Sequence, residues 1–293
     1  NFSPLTTVTP SIRFYSYNSS INFYNSVTDY ATHTMQTGKG YLIRLPFNHP
    51  TAPATWTGSF TGVPNNGTVT VNLANNGAGF RYNAVSNPYP STLSMAQFYA
   101  DNVNNIEPTL YYWRKTNSTS NPSYCSYNLF TDTFIDNDQP FTENPNGAIQ
   151  VGQGFFVEAK DASTSVEFNN GQRIGNNANQ MFRNATPSAQ TIEKHRIWLN
   201  LTGAAGEFSQ AMVGYFTGGT LGADATDAKF FNDGIAVLNS KINGTEYIMN
   251  GRPVPFDASD VVPMNLKVTT AGTYTIAIDH KDGLFADTAQ DIL

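Results

Sequence analysis

The chain has 293 residues, enough for two domains of ordinary size or one very large sandwich. Charged residues make up 13%, about half the usual share, and the net charge of −6 comes with scattered Lys and Arg. That pattern excludes a basic nucleic-acid footprint, and no apolar run approaches the roughly 18 residues a membrane helix needs. Aromatics at 13% argue against disorder, while Asn, Thr, Ser and Gly in place of charge suit the turns and exposed faces of extracellular β proteins.

Along the chain, period-two alternation predicts half-buried strands. Tyr41, Ile43 and Leu45 oppose Leu42 and Arg44, and Val69, Val71 and Leu73 oppose Thr68, Thr70 and Asn72. After Asn87-Pro88-Tyr89-Pro90, apolar residues fall near helical spacing, and one short helix is predicted near 91–101 with Ser91 or Thr92 as its cap. Shorter runs follow at 110–113, 155–159, 211–216 and 235–238. Ile197, Leu199 and Leu201 oppose Arg196, Trp198 and Asn200, and Tyr274, Ile276 and Ile278 oppose Thr273, Thr275 and Asp279.

Turn signals at Asn65-Asn66-Gly67, Asn75-Asn76-Gly77, Asn146-Gly147, Asn169-Asn170-Gly171 and Asn243-Gly244 separate these runs and read as hairpins. The small, polar, Pro-containing stretch 184–190 is the best joint. The expected fold is all-β, with two sandwiches of jelly-roll or immunoglobulin-like type over 1–185 and 186–293. Both chain ends read as cut from something longer.

The candidate chemistry is sparse. Gly38-Lys39-Gly40-Tyr41 and Gly152-Gln153-Gly154-Phe155 echo each other. A dinucleotide site needs a preceding strand, a third Gly and a helix, whereas a β-type run follows here, so both read as glycine turns at strand starts. Asp132, Asp136 and Asp138, and more so Asp224, Asp227 and Asp233, offer oxygens for calcium but lack the spacing of an EF-hand loop. Cys125, the single cysteine, sits among aromatics and reads as a small buried hydrophobe. His33, His49, His195 and His280 lack metal-ligand spacing. Tyr111 and Trp113, with Tyr112, Tyr124 and Tyr127 nearby, are candidates for a platform on which a sugar ring stacks, although sandwich aromatics more often fill the core. No nucleophile, metal or cofactor pattern emerges, and a non-enzymatic reading is expected.

An ordered series of short motifs adds a family likeness. It includes Gly38-Lys39-Gly40-Tyr41-Leu42-Ile43-Arg44, Trp56-Thr57-Gly58-Ser59-Phe60, Asn87-Pro88-Tyr89-Pro90-Ser91 and Gly152-Gln153-Gly154-Phe155-Phe156-Val157. Further on come His195-Arg196-Ile197-Trp198-Leu199, Gly251-Arg252-Pro253-Val254-Pro255 and Gly272-Thr273-Tyr274-Thr275-Ile276. The series resembles the C-terminal regions of surface and adhesin-like proteins exported by the type IX secretion system of Bacteroidota, over most of 38–293. The resemblance implies an extracellular or cell-surface protein involved in adhesion or gliding. It also implies an outer-membrane export machinery as partner, engaged through a C-terminal sorting domain that this chain lacks. It carries over no catalytic residue. Polysaccharide or protein ligands are expected, and the alternative is a carbohydrate-binding module accessory to a secreted hydrolase.

Overall fold

The computed structural model describes residues 14–28, 32–43, 62–114, 121–138, 147–175, 192–232 and 234–287. The fold is all-β, its strands laid out in sandwich-like arrangements, with one α-helix among the described residues. No helix among them is long and apolar enough to cross a membrane.

Two compact units interleave along the chain: Asn1–Glu107 with Ala148–Met181, and Pro108–Gly147 with Phe182–Leu293. A single cut near 184–190 therefore does not separate them, and that stretch lies outside the described residues. The reason lies in the second unit's core, where Ile135 packs with Trp198, Met212 and Phe216. Strands are numbered along the chain.

In the first unit β1 (Phe14–Asn18) pairs antiparallel with β2 (Phe23–Ser26) and β3 (Tyr41–Ile43). β4 (Val69–Asn72) pairs with β12 (Ser165–Phe168), and β5 (Tyr82–Ser86) with β11 (Gly154–Glu158). β6 (Thr92–Ser94) lies between β10 (Ala148–Ile149) and β13 (Arg173–Ile174). The alternation in β4 is as expected: Val71 and Leu73 are buried, Thr70 and Asn72 exposed.

The helix α1 runs Met95–Asn102 and is capped by Ser94, whose Oγ accepts from the Gln97 N–H at 3.2 Å. The expected caps Ser91 and Thr92 come too early because Thr92–Ser94 is drawn into β6, where Leu93 pairs with both Ile149 and Arg173. Phe98 anchors the helix, stacked on Phe168 at 4.9 Å and edge-on to Phe155 at 5.5 Å. The Asn102 amide mimics a strand partner: it accepts from the Glu167 N–H and donates to the Glu167 carbonyl, both at 2.8 Å. The hairpin expected at Asn169–Gly171 is instead a 3-10 turn, because the Asn169 Oδ1 accepts from the Gly171 N–H at 2.9 Å and bends the chain locally.

In the second unit β7 (Thr109–Trp113), β8 (Tyr124–Asn128) and β9 (Thr133–Ile135) form an antiparallel meander. β14 (Lys194–Gly203) pairs with β15 (Phe208–Phe216) on one side and with β20 (Tyr274–Lys281) on the other. β18 (Thr245–Pro253) runs parallel to β15 and carries β16 (Ala228–Lys229). β17 (Ala236–Ile242) joins β18 to the edge strand β19 (Met264–Val268). Asn243 and Gly244, at φ of 51° and 83°, make the expected two-residue hairpin turn between β17 and β18.

β14 departs from the expected one-sided burial. Leu199 and Leu201 pack with Ala211, Ala236 and Leu238 on one face, while Trp198 is buried with Met212 and Phe216 on the other. The polar members of that second face are buried because they have partners. The Trp198 indole N–H donates to the Phe134 carbonyl at 2.9 Å. The Arg196 guanidinium reaches Asp282, the Asp132 carbonyl and the Thr133 hydroxyl.

Candidate functional site

A cleft of about 470 Å³ opens in the first unit, within the size range of small-ligand sites. Its floor begins at β5. Along one edge of that strand run Gly38 to Gly40: the Gly40 N–H donates to the Ala84 carbonyl at 2.9 Å, and the Ser86 N–H to the Gly38 carbonyl at 2.8 Å. Along the other edge runs β11, with Gly154 opposite Ser86. The two echoing glycine segments therefore flank one strand, as structural starts rather than phosphate loops. Glycine is required at 38, where φ is +75° and a Cβ would lie 2.3 Å from Val71 Cγ2.

Beyond β5, Asn87-Pro88-Tyr89-Pro90 forms the next wall. The Asn87 amide donates to the Ser91 and Gln150 carbonyls and accepts from the Tyr89 N–H, which fixes the loop. Tyr89 is buried, its hydroxyl donating to the Gly67 carbonyl at 2.6 Å, with the Arg173 guanidinium 5.4 Å from its ring centroid. The opposite wall is Tyr41 and Ile43 of β3, with Val63 at the rim. Asn65 closes one end, its amide donating to the Pro88 carbonyl at 2.8 Å. The lining is mainly apolar, with amide and hydroxyl groups interspersed, and its one charged side chain among the described residues is Lys39. The Lys39 ammonium lies 5.9 Å from the Tyr41 ring centroid. The groups such a surface offers to a ligand are ring faces and hydrogen-bonding amides and hydroxyls.

The residues singled out in the sequence lie elsewhere. Tyr111 is 1% exposed, its hydroxyl donating to the Lys229 carbonyl at 3.2 Å and its ring 5.0 Å from Phe231. Tyr112, Tyr124 and Tyr127 are buried as well, and only Trp113, at 41%, reaches the surface, edge-on to Tyr124. A platform combining Tyr111 with Trp113 is not formed, because β7 is covered on both faces and its aromatics fill the core.

Asp224 and Asp227 do come together, but they hold their own loop. Asp224 Oδ2 accepts from the N–H and hydroxyl of Thr220, and Oδ1 from the N–H and hydroxyl of Thr226, so its lone pairs are filled. Asp227 accepts from the N–H groups of Asp224 and Gly251. Burial pushes its carboxyl up to about 7 despite those two donors, with the Asp224 charge adding to the rise. Asp233 lies outside the described residues. Asp132, Asp136 and Asp138 turn to separate partners, Tyr127, Arg114 and Asn121. No group of three His, Cys, Asp or Glu among the described residues is placed to hold a metal. Cys125 is fully buried, and burial pushes its thiol up to about 12, which leaves it a packing group.

Gly38-Lys39-Gly40-Tyr41 and Asn87-Pro88-Tyr89-Pro90 were visible in the sequence as motifs. Their convergence on one cleft was not, since the pairing of the 38–40 segment with the edge of β5 leaves no local signal. No curated protein and no solved structure matches the chain. A family model matches residues 1–293 in full, and the chain belongs to that family, described as a domain of unknown function, DUF8693.

Proposed function

We propose that this chain is a non-catalytic adhesion module of an exported bacterial surface protein, and that it holds polysaccharide in the cleft between β3, β5 and the Asn87–Pro90 loop. The observation that carries the reading is the cleft lining: two tyrosines, prolines and amides on a backbone fixed by glycine contacts, with no carboxylate among the described lining residues for acid–base work. The ordered motif series from Gly38 to Ile276 supports export by the type IX route and a place outside the cell. Attachment to a secreted hydrolase would use the same cleft in the same way.

Electrophoresis through gels cast with plant and bacterial polysaccharides tests this. The chain is expected to be retarded by at least one polymer. Tyr41→Ala should weaken that retardation about two- to tenfold, the scale of one ring contact, and Trp113→Ala should leave it unchanged. Mobility unaffected by every polymer, or loss on changing Trp113 rather than Tyr41, would contradict the reading.

A further inference from the structure

We infer that the cleft selects polysaccharides whose sugar rings carry carboxylates, and that Lys39 is the residue that selects them; the inference rests on the polysaccharide-binding reading above. Lys39 is the one charged side chain among the described residues lining the cleft. It makes no ion pair among the described residues, in a chain whose net charge is −6. An ammonium with no carboxylate partner among the described residues, set beside a mainly apolar wall, is available to pair with an anionic ligand.

The segment that carries this amine is fixed on the edge of β5. The Lys39 backbone bridges to Val85, and its carbonyl accepts from the Ser86 hydroxyl at 3.0 Å. Its half-buried stem carries the ammonium to 5.9 Å from the Tyr41 centroid. A uronic acid has its carboxylate one bond from the pyranose ring. A ring packed on the Tyr41 wall therefore brings that carboxylate beside the ammonium, where the hydrogen bond is charge-assisted. A neutral sugar of the same shape gains the ring contact alone. The rest of this acidic chain repels a polyanion, so the preference must be local and must weaken with salt.

Polygalacturonate and its fully methyl-esterified form make a matched pair of probes, with the same backbone and a carboxylate present or masked. The full chain is expected to bind the free acid about tenfold more tightly than the ester, and Lys39→Gln should remove the difference between the two. Lys267→Gln, at an exposed lysine in the second unit, should keep the full preference. In the unaltered chain, half-molar NaCl should bring the free acid close to the ester. Equal binding of acid and ester, or a preference that survives Lys39→Gln or high salt, overturns the selectivity while leaving the cleft as a glycan site. Failure of both polymers, together with every neutral one, overturns the cleft reading itself.

Discussion

At the scale of single residues, the polar groups that looked like chemistry mostly hold structure. Asp227 is the clearest case, fastening the 220–227 loop to β18 through the Gly251 N–H at 2.8 Å. Its carboxyl titrates near 7 when folded and near 3.8 as an ordinary carboxylate. Between those values the folded chain binds more protons than the unfolded one, so this group lowers stability as pH rises from about 4 to 7, with no further change above. Asp260 acts in the opposite sense. The Arg252 guanidinium, joined by the Tyr215 hydroxyl, holds its carboxyl below the usual range. Its contribution is present above that range and is lost as pH falls through the lowered value. Asp227→Asn is therefore expected to flatten the decline in melting temperature between about pH 4 and 7 while sparing the loss on the acid side. An unaltered decline would show that Asp227 does not carry it.

At the scale of elements, sequence periodicity was readable where one face meets water and failed where both are covered. β4 shows its alternation because Thr70 and Asn72 are solvated. β7 and β14 mislead because Tyr111 and Trp198, on faces that read as exposed, are covered by other strands of the same unit. The helix was legible in kind but displaced, since pairing with β10 and β13 overrode a plausible cap. β20 shows the converse. Ile276 and Ile278 stand opposite Leu201 and Leu199 on the inner face, yet they are 44% and 36% exposed while Leu201 is fully buried. Leu201→Ala should therefore cost about 2–5 kcal/mol in denaturant unfolding, and Ile276→Ala about 1 kcal/mol or less. Equal costs would mean that the sheet edge is covered in solution.

At the scale of the whole molecule, a linear reading recognised an all-β chain but not its interleaving. Residues 108–147 supply β9, whose Phe134 carbonyl and Ile135 side chain complete the burial of Trp198, and no local signal marks a strand as belonging to a distant partner. The cleft was hidden for the same reason: Lys39 and Pro88 line it together because the Lys39 segment pairs with the edge of β5, which leads directly into residues 87–90. What the chain does depends on that assembled surface. The most direct measurement is a titration of the isotopically labelled chain with galacturonate oligomers, following amide signals and oligomer length together. Shifts concentrated at Lys39, Tyr41, Asn65 and Ser86, with the oligomers left intact, are the predicted result. Shifts centred on Trp113, no shifts with any glycan, or shortened oligomers would contradict a non-catalytic glycan-binding module.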